Sequence, residues 1–366
     1  MSHQLRRRAL LTLAAAPALP AGAAPRNASP GLVEPGVAPP IQLEHWQAFC
    51  GRFLLPEGRV VDTGNGGISH SEGQGWALLC AEQMEDRETF DRLLNWTRRV
   101  LARPGDALSS WRFRPDGLRG GGVDDVNNAT DGDLMIAWAL LRAGQRWQSP
   151  DYTAQGTAIA RDVLRLLVRE VGEETVLLPG AAGFEQREHV VLNPSYYAFP
   201  ALRALAQAVP DPTWLRLAAD GVALLRRARF GRWGLPADWV ALPRLGGRPV
   251  PAPGWPARFS YDAVRVPLYL AWAGMGREPA AAGAARFWGD PLHGQMPAWT
   301  DFASDAVSPY PASTGIRSLA QLTIGKQSNG SSQPRWPSPG EAQDYYSSVL
   351  TLLARLAWRD SAIASI

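Results

Sequence analysis

"NNATDGDLMIAWALLRAGQRW", residues 127–147, carries apolar side chains at helical spacing from Leu134 to Trp147, yet it opens on two aspartates, Asp131 and Asp133, on either side of Gly132. One acidic residue in a first turn suffices to complement the helix dipole. Two close carboxylates repel each other, and their cost implies a ligand, a shared proton or a partner cation. Thr130 with Asp133 three residues on is spaced as a cap, which makes Asp131 the first helical residue. The same helical pattern recurs along the chain: helices are expected near 41–54, 72–84, 87–102, 132–147, 151–170, 195–208, 212–228, 261–274, 279–288 and 344–358. Strand-like alternation is brief, as in "TVLLP" from Thr175. The stretches 104–130, 176–194, 230–260 and 290–343 are rich in Gly, Pro, Trp and Asp and read as long loops, which in a compact chain are more often functional than idle. No repeat of fixed period and no compositional break divides the sequence. An all-α fold in a single domain follows; helices in paired succession suit a toroidal barrel, and a helical solenoid gives a similar pattern.

The composition narrows the function classes. With 366 residues and 46 % hydrophobic content the chain can bury one large core or two smaller ones. The formal net charge is +3, and the 37 lysines and arginines form no long continuous basic run, so no nucleic-acid partner is expected. Fifteen tryptophans are many for this length. Trp111, Trp233, Trp255 and Trp299 fall in loop-like contexts where an aromatic face can stack on a sugar ring, although tryptophan is more often core. Residues 1–25 read as an export signal: Arg6-Arg7-Arg8 precedes Ala-Leu-Leu in a twin-arginine-like start, and an Ala-Gly-Ala run ends at Ala23. A Pro/Ala-rich lead covers 26–40, and 41–366 form the folded domain. No later stretch is long and apolar enough to span a bilayer, so a periplasmic or secreted bacterial protein is expected. Cys50 and Cys80 lie in helical, apolar stretches and are either one disulfide or two separate buried thiols.

Two further helix starts match the first. In "SHSEGQGWALLCAEQM", from Ser69, Ser71 and Gln74 have capping-box spacing, which puts Glu72 at the start of the helix. In "RFSYDAVRVPLYLAWAGM", from Arg258, Ser260 can cap, Asp262 falls near the first turn, and Arg265 follows on the same face, where it can hold the carboxylate ionised. Each acid alone is explained by the helix dipole or an ordinary salt bridge. All three, however, occupy equivalent positions, and parallel helices would bring them to one rim. A carboxyl that donates a proton and a carboxylate that activates water, facing each other across an aromatic cleft about 6.5–9.5 Å apart, are the equipment of inverting glycoside hydrolysis. A helix N-terminus lowers a carboxyl pKa whereas a general acid needs it raised, so burial against Trp76 or an ionised Asp131 must overcome the dipole at Glu72.

The sequence resembles glycoside hydrolase family 8, the inverting endoglucanase family that includes cellulases of bacterial cellulose-synthesis systems. "ATDGDLMIAWALLRAGQRW" carries that family's signature, and supporting segments span most of the chain: "SEGQGWALL" from Ser71, "FDRLLNWTRRVL" from Phe90, "LNPSYYAFPAL" from Leu192, "GLPADWV" from Gly234, "YDAVRVPLYLAW" from Tyr261 and "YYSSVLTLLARLAW" from Tyr345. The resemblance implies an (α/α)6 toroidal barrel with long aromatic-rich loops forming an open cleft, and no metal or organic cofactor. It implies Glu72 as general acid, Asp262 as general base and Asp131 as the carboxylate that binds and distorts the sugar beside the scissile bond. Arg265 supports the base, and Tyr196 and Tyr261 are cleft residues; Trp111, Trp76 and Asp133 complete the expected substrate-binding set. An aspartate at 262 favours a cellulose-type β-1,4-glucan over the lichenase and chitosanase activities of the same family and leaves xylan open, so xylanase or chitosanase activity is the alternative within the family. The sequence departs from the family before the signature, where Trp111 is the only tryptophan, a Gly-rich insertion occupies 120–122, and Trp76 stands where a tyrosine is frequent.

Two other function classes use the same residues differently. A polysaccharide-binding module would need the aromatic cleft but neither acid nor base, and a scaffold of a polysaccharide-export complex would not need the cleft at all. A monomer associated with a cellulose-synthesis or export apparatus is the expected assembly. His70 reads as a satisfied structural histidine, since no second histidine lies at metal-ligand spacing. Asp124 and Asp125 read as a solvated loop, and Glu185 and Glu188 as surface charge.

Overall fold

The computed structural model describes residues 43–116, 120–327 and 334–363. The expected export signal, 1–25, and the whole of the lead, 26–40, lie outside them. Among the described residues the helices are α1 (Leu43–Phe53), α2 (Ser71–Gln83), α3 (Arg87–Val100), α4 (Thr130–Arg146), α5 (Pro150–Leu167), α6 (Phe199–Ala208), α7 (Pro212–Arg227), α8 (Arg265–Trp272), α9 (Pro279–Trp288), α10 (Thr314–Gln327) and α11 (Tyr345–Ile363). Six of them close a ring: α2 packs on α4, α4 on α6, α6 on α8, α8 on α10, α10 on α11, and α11 on α2. Outside the ring, α3 lies on α2, α5 on α4, α7 on α6, α9 on α8 and α10, and α1 on α11. This is the (α/α)6 barrel, and the solenoid alternative is set aside.

The two rings differ in sequence because they differ in burial. In α3 the buried residues Phe90, Leu93, Leu94 and Trp96 form one stripe while Arg98 and Arg99 face out, the pattern of a surface helix. In α2 every residue from Gly73 to Glu82 is buried, because the helix is covered by neighbours on all sides. Glycines bring the inner helices close. A Cβ on Gly132 of α4 would lie 2.2 Å from Ser71 Oγ, and one on Gly75 of α2 would lie 2.6 Å from Met135 Cβ. The first turns of α2 and α4 are therefore in direct backbone contact, which carries Glu72 to the side of Asp131.

Each expected helix is present, though the one expected over 151–170 ends at Leu167, that over 195–208 starts at Phe199 and that over 261–274 starts at Arg265; one helix and one hairpin were not expected. α10 was expected to be loop, since its sequence, "TGIRSLAQLTIGKQ", is interrupted by polar residues. Those residues are buried all the same: Ser318 Oγ and Thr323 Oγ1 donate to the carbonyls of Thr314 and Leu319 within the helix, at 2.9 and 2.7 Å, so their burial leaves no open donor. The stretch 104–130, also expected as loop, holds an antiparallel hairpin. Strands β1 (Ser69–His70), β2 (Ser110–Arg114) and β3 (Gly122–Asn128) form a three-stranded sheet in that order. Asp124 and Asp125 thus belong to a strand, where Asp124 pairs with Arg112 at 2.7 Å and Asp125 accepts from the Trp111 indole at 2.8 Å. Shorter pieces complete the loops: β4 (Val168–Val171) with β5 (Glu174–Leu177), β6 (His189–Leu192) with β7 (Val240–Pro243) and β8 (Val250–Pro251), and β9 (Arg258–Phe259) with β10 (Thr300–Asp301). Cys50 and Cys80 are both free thiols. No helix among the described residues is long and apolar enough to cross a membrane.

Candidate active site

All six inner helices start at the same opening. A cavity of about 770 Å³ there is lined by Glu72 of α2, Asp131 of α4, Tyr196 just before α6, Asp262 and Arg265 at α8, Ser313 and Ile316 at α10, and Tyr346 of α11. Trp111 enters from the β2–β3 hairpin, and Tyr261 and Tyr310 form part of the wall, their hydroxyls 3.1 Å apart.

The local starts are built differently from their sequence signals. His70, not Ser71, caps α2: its Nδ1 accepts the Gly73 N–H at 3.0 Å, which leaves the ring proton on Nε2, 3.4 Å from Asp62. Gln74 takes no part in a capping box. It is buried, accepts from Val60 N at 2.7 Å and donates to Thr97 Oγ1 at 2.9 Å, tying α2 to the preceding turn and to α3. At α4 the cap position is Ala129, without a side-chain cap. Thr130 donates to the carbonyl of Leu178 at 2.6 Å. Asp133 is fully buried and accepts from Ser109 N and Asn128 Nδ2 at 2.7 and 2.8 Å, so it latches the hairpin to α4 and does not reach the cleft. Burial pushes its carboxyl up to about 8. Trp76 is likewise out of the cleft, fully buried, its indole N–H 3.3 Å from Tyr269 Oη and its ring 5.5 Å from the Arg265 guanidinium.

α8 begins only at Arg265, so Asp262 lies in the turn before it. That turn is held by Asp238, whose Oδ1 accepts from Ser260 N at 2.9 Å and Ala263 N at 2.8 Å. Ser260, expected as the cap, is instead one of the donors to Asp238. Arg265, almost fully buried, is where the acids meet. Its Nη2 donates to Asp262 Oδ1 at 2.6 Å, its Nη1 lies 3.2 Å from Asp131 Oδ2, and Nη1 also pairs with Glu72. Asp131 is anchored besides by the Gly132 N–H at 2.8 Å and by the Tyr196 hydroxyl.

One guanidinium facing three carboxylates leaves excess negative charge in a poorly hydrated place, which favours retention of a proton. Burial raises the pKa of Asp131, and burial followed by the neighbouring charges of Asp238 and Asp131 raises that of Asp262. Among the described residues no three His, Cys, Asp or Glu side chains are gathered to hold a metal ion. Sequence reasoning missed Asp62, Asp238, Tyr310 and Tyr346, and also Asn193 and Ser195 behind Arg265. Asp238 and Tyr346 lie in segments that carry the family resemblance; Asp62 and Tyr310 lie in no recognisable pattern.

Carboxyl groups lining a cavity at the open end of a helical barrel are the equipment of a hydrolase of glycosidic bonds. The chain belongs to glycosyl hydrolases family 8, whose model matches residues 34–360. It is 45 % identical over 328 residues to a probable endoglucanase of Novacetimonas hansenii, covering 89 % of this chain and 93 % of that one. It is 41 % identical to an endoglucanase of Cellulomonas uda over 77 % of each chain. The solved endo-beta-1,4-glucanase CMCax of Acetobacter xylinum superposes with a TM-score of 0.81 at 44 % identity, over 87 % of this chain and 98 % of that one.

Proposed function

We propose that this protein is an endo-acting, inverting β-1,4-glucanase in which Glu72 is the general acid, Asp262 the general base and Asp131 the carboxylate that binds and distorts the sugar next to the scissile bond. The observation that carries the reading is the meeting of Glu72, Asp131 and Asp262 on the one buried guanidinium of Arg265, at the floor of an open cleft. The relatives' names, endoglucanase and endo-beta-1,4-glucanase, supply the substrate class and the attack at internal bonds.

In the reaction, protonated Glu72 gives its proton to the leaving glycosidic oxygen as the bond to the anomeric carbon breaks. Asp262 takes a proton from water, and that water's oxygen bonds to the anomeric carbon from the opposite face. Arg265 holds Asp262 and Asp131 in place and opposes the burial that raises both, and in this reading the proton to be transferred is the one carried by Glu72. Tyr196 and Trp111 line the path of the chain, and Tyr261 its wall.

The test is reducing-sugar release from carboxymethylcellulose by the wild type beside Glu72→Gln and Asp262→Asn. Each substitution is expected to lower kcat by about 1,000-fold or more with the fold retained. Equal release by all three proteins, or none from the wild type on any β-glucan, xylan or chitosan, contradicts the assignment. We further infer that residues 1–25 direct export to the periplasm or beyond and that the folded domain acts as a monomer beside a glucan-synthesis or export apparatus. N-terminal sequencing of the exported protein, expected to begin after Ala23 to Pro25, tests the first point.

A further inference from the structure

The Asp262 carboxylate is met by more than its arginine. Asn193, at the end of β6 and 1 % exposed, accepts at Oδ1 from both the backbone N–H of Ser195, 3.0 Å, and the Ser195 hydroxyl, 2.7 Å. Ser195 Oγ in turn accepts from Arg265 Nη2 at 3.0 Å, so its single proton is free to go to Asn193. A backbone N–H is an obligate donor, and the atom of Asn193 that faces it must be the oxygen. The NH2 group is thereby fixed on the other side. Nδ2 is buried without a hydrogen bond of good geometry inside the protein, a costly state for a donor unless something arrives to meet it. Arg265 Nη2, which donates to Ser195 Oγ at 3.0 Å, donates also to Asp262 Oδ1 at 2.6 Å, so the Asn193–Ser195 pair and the Asp262 carboxylate share one guanidinium nitrogen, and the Asn193 side chain favours the charged form of Asp262.

We propose that Asn193 is a positioning residue for the base: Ser195 and Arg265 lock its amide so that the NH2 group holds the Asp262 carboxylate, and the water that Asp262 deprotonates, in line with the anomeric carbon. The proposal rests on the reading of Asp262 as the base. Asn193 neither gives nor keeps a proton in the reaction; the water's proton goes to Asp262 and its oxygen to the sugar. The other groups facing Asp262 act in known directions. Arg265 favours its charged form, as does the donor side chain of Trp239, while Asp238 and Asp131 oppose it. The Tyr196 and Tyr346 phenols are near enough for the Asp262 charge to disfavour their ionisation, while their hydroxyls bond Asp131 and the Tyr261 carbonyl.

The experiment compares full-length wild type, Asn193→Ala, Asn193→Asp and Ser195→Ala on carboxymethylcellulose. It measures kcat, KM and the pH dependence of kcat/KM, with thermal melting to establish folding. Removing the donor removes support for the carboxylate, so the acidic limb of the profile is expected to move up by about one pH unit. kcat is expected to fall about 10- to 100-fold with KM little changed, since Asn193 is buried and is not among the residues that line the cavity. Asn193→Asp keeps the acceptor for Ser195 and replaces the donor by a second acid, so it shifts the limb furthest. Ser195→Ala, which frees the amide to turn, shifts it in the same direction by less. A wild-type kcat and acidic limb in the folded variants, with Asp262→Asn inactive, overturns the role of Asn193 and leaves the base assignment standing. Full activity in Asp262→Asn removes both.

Discussion

At the scale of single residues, the site depends on the geometry of one side chain. Arg265 spreads two nitrogens over Glu72, Asp131 and Asp262 while its plane lies against Trp76 and Tyr196. A lysine offers one point charge and no plane. Arg265→Lys is therefore expected to lower kcat/KM by about 100-fold or more and to depress Tm, since removing one partner of a buried ion network costs about 3–5 kcal/mol. Steady-state kinetics and calorimetry on the purified variant check both. The sequence made the three acids legible, because each stands at a helix start where an acid beyond the needs of the dipole is conspicuous. It set Asp131 apart as the acid for sugar but gave Asp133 a cap and a place in the substrate-binding set, neither of which it holds. One faces the cleft and the other is sealed beneath Ser109 and Asn128, and that difference depends on a hairpin whose pairing no local pattern announces. Asp238 and Asn193 were hidden for the same reason: each acts on a turn distant in sequence, at Ser260 to Ala263 and at Asp262.

At the scale of elements, the chemistry is set by how closely two helices begin. Gly132 has the first turn of α2 where a side chain would stand, so the glycine between the two acids is a packing requirement. Gly132→Ala must part α2 from α4 at the level of Glu72 and Asp131. A loss of about 1–3 kcal/mol in stability is expected from such overpacking, with a fall in kcat out of proportion to it, because misplacement by about 1 Å can cost 100-fold. Denaturant titration and kcat measured below the melting range separate the two effects. The helices whose buried faces are apolar were readable from periodicity. α10 was not, since its core-facing serine and threonine satisfy their hydroxyls on their own backbone and so mimic a polar loop in the sequence. The β2–β3 hairpin was missed for a related reason, its outer strand being "GVDDVNN", whose acids serve Arg112 and Trp111.

At the scale of the whole molecule, parallel inner helices deliver six starts to one open groove, and an open groove admits a polymer at any bond. Solutions of carboxymethylcellulose are accordingly expected to lose viscosity well ahead of the appearance of reducing ends. Trp111, held at the rim by Asp125 and Arg112, contributes a stacking face, and Trp111→Ala is expected to raise KM for the polymer about 3- to 10-fold, as loss of about 0.5–1.5 kcal/mol of aromatic contact implies. The toroidal architecture itself was legible from paired helices, although only the closure of α11 on α2 distinguishes a ring from a solenoid. The central claim is that water, activated by Asp262, attacks the face opposite the bond that Glu72 releases. Proton NMR of the products during the first minutes of cello-oligosaccharide hydrolysis reads this directly: the account predicts that the α-anomer appears first and the β-anomer only by mutarotation, and initial accumulation of the β-anomer would contradict it.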